Sequence, residues 1–128
     1  MSNKWVLDAS ALICLIRSEP GSDIVMQALP ESCISAVNLA EVISKISDLD
    51  MDRTLIESVV ATLDLDVIAF GAGDAHDTGL LREPSRQFGL SLGDRACLAL
   101  TARLNATALT TDRAWANLNH IAQVKLLR

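Results

Sequence analysis

Apolar residues fall along this chain in two rhythms. Short unbroken apolar runs alternate with longer stretches in which apolar positions return at helical spacing. The first run is Trp5-Val6-Leu7, and it ends abruptly at Asp8. An unbroken run of this kind suits a strand buried on both faces of a parallel sheet. Ser32 to Ala36, Leu65 to Phe70, Thr107 to Thr110 and Val124 to Leu127 read as the other strands.

Between them lie the helices. Ala9 to Arg17 contains no breaker, and Ala11 to Ile16 are apolar without interruption, so every face of that helix is greasy. Other helices or a partner must cover it. Ser22 looks like the N-cap of a second helix, up to about Leu29. From Val37 to Ser47 an apolar stripe appears at Leu39, Val42, Ile43 and Ile46. Asp52 opens a fourth helix, with Leu55, Ile56, Val59, Val60 and Leu63 on one face. Asp74 starts a helix that Pro84 stops. Gly89-Leu90-Ser91 turns into a strong helix from Leu92 to Leu104, and Asp112 begins a short one through Trp115 to about Leu118. Strands that alternate with helices imply right-handed crossovers, hence an α/β fold with a central parallel sheet and helices on both faces.

The length of 128 residues predicts one domain, residues 1–128, with a real core. Only 3% of the residues are aromatic, so that core is aliphatic. The net charge of −5 argues against strong non-specific nucleic-acid binding and favours a site that collects carboxylates for cations. Cys14, Cys33 and Cys97 are odd in number and form no CxxC pair, which points away from a disulfide framework and towards a cytoplasmic setting. Asp8 interrupts the only stretch resembling a signal-peptide core. No run reaches the ~18 apolar residues of a membrane span, so no membrane partner is expected.

In such a fold every strand ends, and every crossover helix begins, at one edge of the sheet, where ligands bind. Asp8 and Asp112 directly follow strands. Asp94 lies in the first turn of its helix, and Glu41 lies in the first turn or two of another. Each has a plain alternative: Asp8 and Asp112 as N-caps, Ser91-x-x-Asp94 and Asn38-x-x-Glu41 as capping boxes. Four such acids together, with no local lysine to compensate them, point instead to Mg²⁺ or Mn²⁺ held by oxygen ligands. His76 and His120 are isolated and no cysteine stands near the acids, which argues against zinc. Ser10, Asn38 and Thr110 stand near the acids and are candidates to orient them or a metal-bound water.

The same segments resemble a known family. Val6-Leu7-Asp8-Ala9-Ser10-Ala11-Leu12 is similar to the opening motif of the PIN-domain ribonucleases, and Ser35 to Val42 (Ser-Ala-Val-Asn-Leu-Ala-Glu-Val) to their second. Gly89 to Leu100 resembles the third motif, and Leu109 to Trp115 the fourth. The resemblance spans the chain and is closest to the VapC toxins of bacterial toxin–antitoxin pairs. It implies a three-layer α/β/α sandwich with the first strand central. It also implies Mg²⁺- or Mn²⁺-dependent cleavage of RNA, with Asp8, Glu41, Asp94 and Asp112 as catalytic metal ligands. Expected partners are an RNA substrate, a small cognate antitoxin and a second copy of the chain as a homodimer.

Arg95 and Arg113 each follow one of the acids and are candidates for phosphate contact. The greasy first helix (Leu12, Leu15, Ile16), with Leu55, Ile56 and Val59 as a second wall, is the expected groove for an antitoxin helix. Two other classes compete. A haloacid-dehalogenase-like or receiver phosphotransfer domain also places Asp at strand ends, but Ser10 stands where the former wants a second Asp, and Phe70-Gly71 where the latter wants its acceptor. The non-enzymatic alternative is a catalytically inactive PIN-like interaction module.

Overall fold

The computed structural model describes residues 3–128. Five parallel strands form one sheet in the order β3-β2-β1-β4-β5: β1 Trp5–Leu7, β2 Ser32–Ser35, β3 Asp66–Ile68, β4 Thr107–Thr110 and β5 Gln123–Leu126. The first strand is central, pairing Val6 with Cys33 on one side and with Ala108 on the other. Because strand side chains alternate, this register sorts the core by face. Val6, Cys33 and Ala108 point to one side, where Cys97, Leu98, Trp115 and Leu118 cover them. Leu7, Ile34 and Leu109 point to the other, under Leu12, Leu15, Val25 and Val42. Buried on both faces, the inner strands have no polar alternation to show.

Among the described residues, six α-helices make the outer layers: α1 Ala9–Ile16, α2 Ser22–Ala28, α3 Ala36–Ser47, α4 Arg53–Leu63, α5 Ala72–Leu80 and α6 Leu92–Leu104. The result is the expected α/β/α sandwich. The segment after Asp112, Arg113–Asn117, is a 3₁₀ helix, and another 3₁₀ turn at Leu29–Glu31 links α2 to β2. Among the described residues, no helix is long and apolar enough to cross a membrane.

Several boundaries differ from the sequence pattern. Strand β3 is shorter than Leu65 to Phe70, because it is an edge strand and only Cys33 to Ser35 offer it partners. Helix α5 starts at Ala72, not at Asp74, because Asp74 is the third helical residue and reaches back to the backbone N–H of Gly71 at 2.9 Å. It ends at Leu80, well before Pro84. Residues ahead of a proline are biased away from helical geometry, and the chain turns there instead.

The greasy first helix is covered by the chain itself. Leu12 is fully buried and Leu15 is 9% exposed, both in the core beneath α2 and α3. They form no wall of a groove for a partner, contrary to the expectation from composition. Ile16 is half-buried against the same cluster.

Candidate active site

The carboxyl edge of β1 and β4 opens into a cleft of about 580 Å³ lined by Asp8, Glu41, Asp94 and Asp112, together with Ser10, Ile13, Glu19, Lys45 and Asp48. Four separate elements deliver the four predicted acids to this one cleft. Among the described residues, none of the four forms an ion pair.

Asp8 sits deepest, 6% exposed. It occupies the N-cap position of α1, yet its side chain caps nothing. Instead its Oδ2 accepts from Ser10 Oγ at 2.7 Å and from Thr110 Oγ1 at 2.9 Å. Both hydroxyls are themselves anchored: Ser10 Oγ accepts the Thr111 N–H at 3.0 Å, and Thr110 Oγ1 accepts the Asp112 N–H at 3.1 Å. The end of β1, the start of α1 and the end of β4 are thus tied through one carboxylate. Burial pushes the Asp8 carboxyl above its ordinary range; the bonds from Ser10 and Thr110 pull it down, and the charge of Asp94 pushes it up.

Glu41 lies well inside α3, whose N-cap is Ser35, so Asn38 and Glu41 form no capping box. Asn38 is fully buried and donates from Nδ2 to Glu41 Oε1 at 2.9 Å and to the Gly93 carbonyl at 3.0 Å. Asp94 does form the box: its Oδ2 accepts the Ser91 N–H at 2.9 Å, and Ser91 Oγ accepts the Asp94 N–H at 3.1 Å. Asp112 Oδ1 caps the 3₁₀ helix through the Ala114 N–H at 3.0 Å. The capping interpretation therefore holds for two acids and fails for two.

The two arginines separate. Arg113 is exposed beside Asp112. Arg95 is buried between α5 and α6, donates from Nη1 to the Thr78 carbonyl at 3.2 Å, and has an Nε with no partner. It faces away from the cleft, so the expected phosphate contact at Arg95 is corrected to a buried helix–helix clamp. A helix residue and its neighbour diverge by about 100°, which turns Arg95 inwards when Asp94 faces the edge. Sequence reasoning missed Lys45, the one basic side chain among the described residues that lines the cleft, and Gly93 beneath Glu41. Lys45 stands one helical turn after Glu41, so that spacing was the available signal.

The donor set fits a hard divalent cation. All four candidate groups are carboxylates, and each has one oxygen tied to the protein with the other carrying no hydrogen bond among the described residues. As the side chains stand, no three of the acids or other candidate ligands among the described residues enclose an ion. Burial pushes all three thiols up, Cys33 to about 11, so none offers a thiolate at neutral pH.

The model of the PIN domain family matches residues 5–121. The chain belongs to the PIN domain family. Solved structures share this PIN fold at low identity. A toxin–antitoxin complex from Klebsiella pneumoniae aligns with TM-score 0.75 and 18% identity, covering 96% of this chain and 97% of that one. VapBC2 from Rickettsia felis, bound to a promoter DNA fragment, aligns at 0.73 and 18%, covering 95% and 97%. VapBC-5 from Mycobacterium tuberculosis aligns at 0.58 and 22%, covering 98% of each chain. No curated protein matches this PIN domain in sequence.

A second hollow lies outside the cleft. Helices α3 and α4 flank an apolar groove, also about 580 Å³, lined by Ile43, Met51, Ile56, Val60 and Ala61, with the Arg53–Glu57 ion pair at its rim. Leu55 is 50% exposed nearby, and Val59 is half-buried.

Proposed function

We propose that this PIN domain is a Mg²⁺- or Mn²⁺-dependent endoribonuclease toxin of the VapC type, silenced by a small antitoxin protein. The observation that carries the reading is the cleft: four carboxylates from four elements, none in an ion pair among the described residues. Asp8, Glu41, Asp94 and Asp112 would hold the metal, which would supply an activated water and neutralise charge at a phosphodiester. The chain's own residues orient the ligands. Ser10 and Thr110 hold one Asp8 oxygen, leaving the other for the cleft. Asn38 does the same for Glu41. Lys45 and Arg113 are the cations placed to meet substrate phosphates, which lets an acidic protein bind RNA locally.

The antitoxin reading is supported by the company this fold keeps, since similar structures are toxin–antitoxin complexes. The groove between α3 and α4 replaces the α1 surface as the seat for an apolar antitoxin helix, with Ile56 and Val60 as its floor and Leu55 and Val59 beside it. For the homodimer, the apolar face of α5 and α6 is the candidate surface, where Leu80 is 63% exposed beside Leu81, Ala99 and Ala102.

Cleavage of end-labelled RNA and matched DNA, with Mn²⁺ and with chelator, tests the enzyme. RNA cleavage that chelator abolishes, and that Asp8→Asn removes, is expected. Full activity in Asp8→Asn would sink the assignment. A catalytically inactive module is the second reading, favoured by the two acids turned back onto their own helix starts. It predicts no cleavage in any of these conditions but intact antitoxin binding.

A further inference from the structure

Gly93 is buried at the second position of α6. Its φ is not in the left-handed region, so the backbone there would accept any L residue. Glycine also weakens a helix relative to alanine. Something other than the backbone must explain a glycine at this point. A Cβ placed on Gly93 would overlap both carboxylate oxygens of Glu41 and the carbon between them. The carboxylate therefore rests on the bare Cα of the first turn of α6. Asn38 closes the arrangement, donating to Glu41 Oε1 and to the Gly93 carbonyl from the same Nδ2.

Nothing else among the described residues holds the Glu41 side chain. It makes no ion pair and has no other hydrogen-bond partner, and the residue is exposed. We infer that Gly93 is a positioning residue: its missing side chain is the seat that holds the Glu41 carboxylate over the start of α6, beside Asp94. The colliding group is the far end of a flexible side chain. A methyl group at 93 would therefore push the carboxylate off Asn38 and into solvent, and the helices would not have to move.

The Mn²⁺ part of the test rests on the proposed function; the rest does not. Wild type, Gly93→Ala, Glu41→Ala and the double variant are compared metal-free by thermal melting and by the NMR signals of the Asn38 side-chain amide. Each is then titrated with Mn²⁺. Gly93→Ala should melt no lower than wild type and shift the Asn38 amide as Glu41→Ala does. It should weaken Mn²⁺ binding by the same factor, about tenfold or more. The double variant should add no further loss, since both changes remove one interaction. An unmoved Asn38 amide with wild-type Mn²⁺ affinity would overturn the inference. If wild type binds no Mn²⁺, the metal reading falls, and the Asn38 amide alone decides for or against the seat. If Gly93→Ala fails to fold, the double variant is the test. Recovery there supports the seat, and failure there as well overturns it.

Discussion

Asp8→Asn isolates the effect of one buried charge. The wild-type carboxyl is 6% exposed, takes two hydroxyl donors on one oxygen and forms no ion pair among the described residues. Asparagine keeps the shape and can accept both hydroxyls through its Oδ1, but it carries no charge. Two effects compete. Making the acceptor neutral weakens each hydroxyl bond by about 1 kcal/mol, whereas removing the charge relieves its desolvation. The raised pKa of Asp8 shows that burial outweighs the bonds. A carboxyl whose folded pKa is raised binds its proton more tightly in the native state. Its favourable contribution is complete below the unfolded value, about 3.9, and is lost as pH climbs through the raised value. At pH 7 the metal-free wild type therefore carries a penalty that the variant lacks. The variant should melt at the same temperature or higher at pH 7, and its advantage should shrink as pH falls towards about 4.

Metal reverses the comparison. At about 100 times its dissociation constant a native-state ligand adds roughly 2.7 kcal/mol. A domain of this length has a melting entropy of about 0.27 kcal/mol per kelvin, so wild type should gain about 10 °C. If losing one ligand costs about a hundredfold in affinity, the variant at the same Mn²⁺ concentration keeps only about 0.4 kcal/mol, under about 2 °C. The assay is calorimetric or circular-dichroism melting of both proteins in chelator and in Mn²⁺ across this pH range. A variant that melts several degrees lower in chelator at pH 7, and gains as much from Mn²⁺ as wild type, would refute the reasoning and place the metal elsewhere.

Other expectations follow from the same geometry. Thr110→Val removes a donor from Asp8 and an acceptor from the Asp112 N–H; urea unfolding should show a loss of roughly 2–3 kcal/mol at neutral pH, less at acid pH because the change raises the Asp8 pKa further. Leu12→Ala cuts into the core and should cost about 2–5 kcal/mol. Leu55→Asp, at an exposed position, should leave melting nearly unchanged yet weaken a cognate antitoxin complex about tenfold or more in a binding titration. Equal effects of Leu55→Asp and Leu12→Ala on melting would contradict this division of core and surface. Lys45→Ala and Arg113→Ala should raise KM for RNA with little change in kcat, and should flatten its salt dependence; an unchanged KM in both would remove them from the substrate path.

Local signals carry from the sequence into the fold, and non-local ones do not. Trp5-Val6-Leu7 declares a two-sided strand because no alternation is needed when both faces are buried, and Asp8, Asp94 and Asp112 declare an edge because strand ends and helix starts share it. Strand order is not local, yet the motif resemblance implied a central β1, and the pairing of β1 with both β2 and β4 agrees. What adjacency in sequence cannot convey is direction. Arg95 follows Asp94 in the chain, but the turn of the helix sends it into the α5–α6 contact. Leu12 and Leu15 look like an uncovered surface until α2 and α3 fold over them. Lys45 reaches the cleft only because α3 runs along it, and Gly93 matters only because Glu41 arrives from another helix. Residue type and spacing therefore fixed the elements and the chemistry each could bring. Packing alone settled which side chains face the cleft and which are spent inside the core, since burial depends on neighbours distant in the chain.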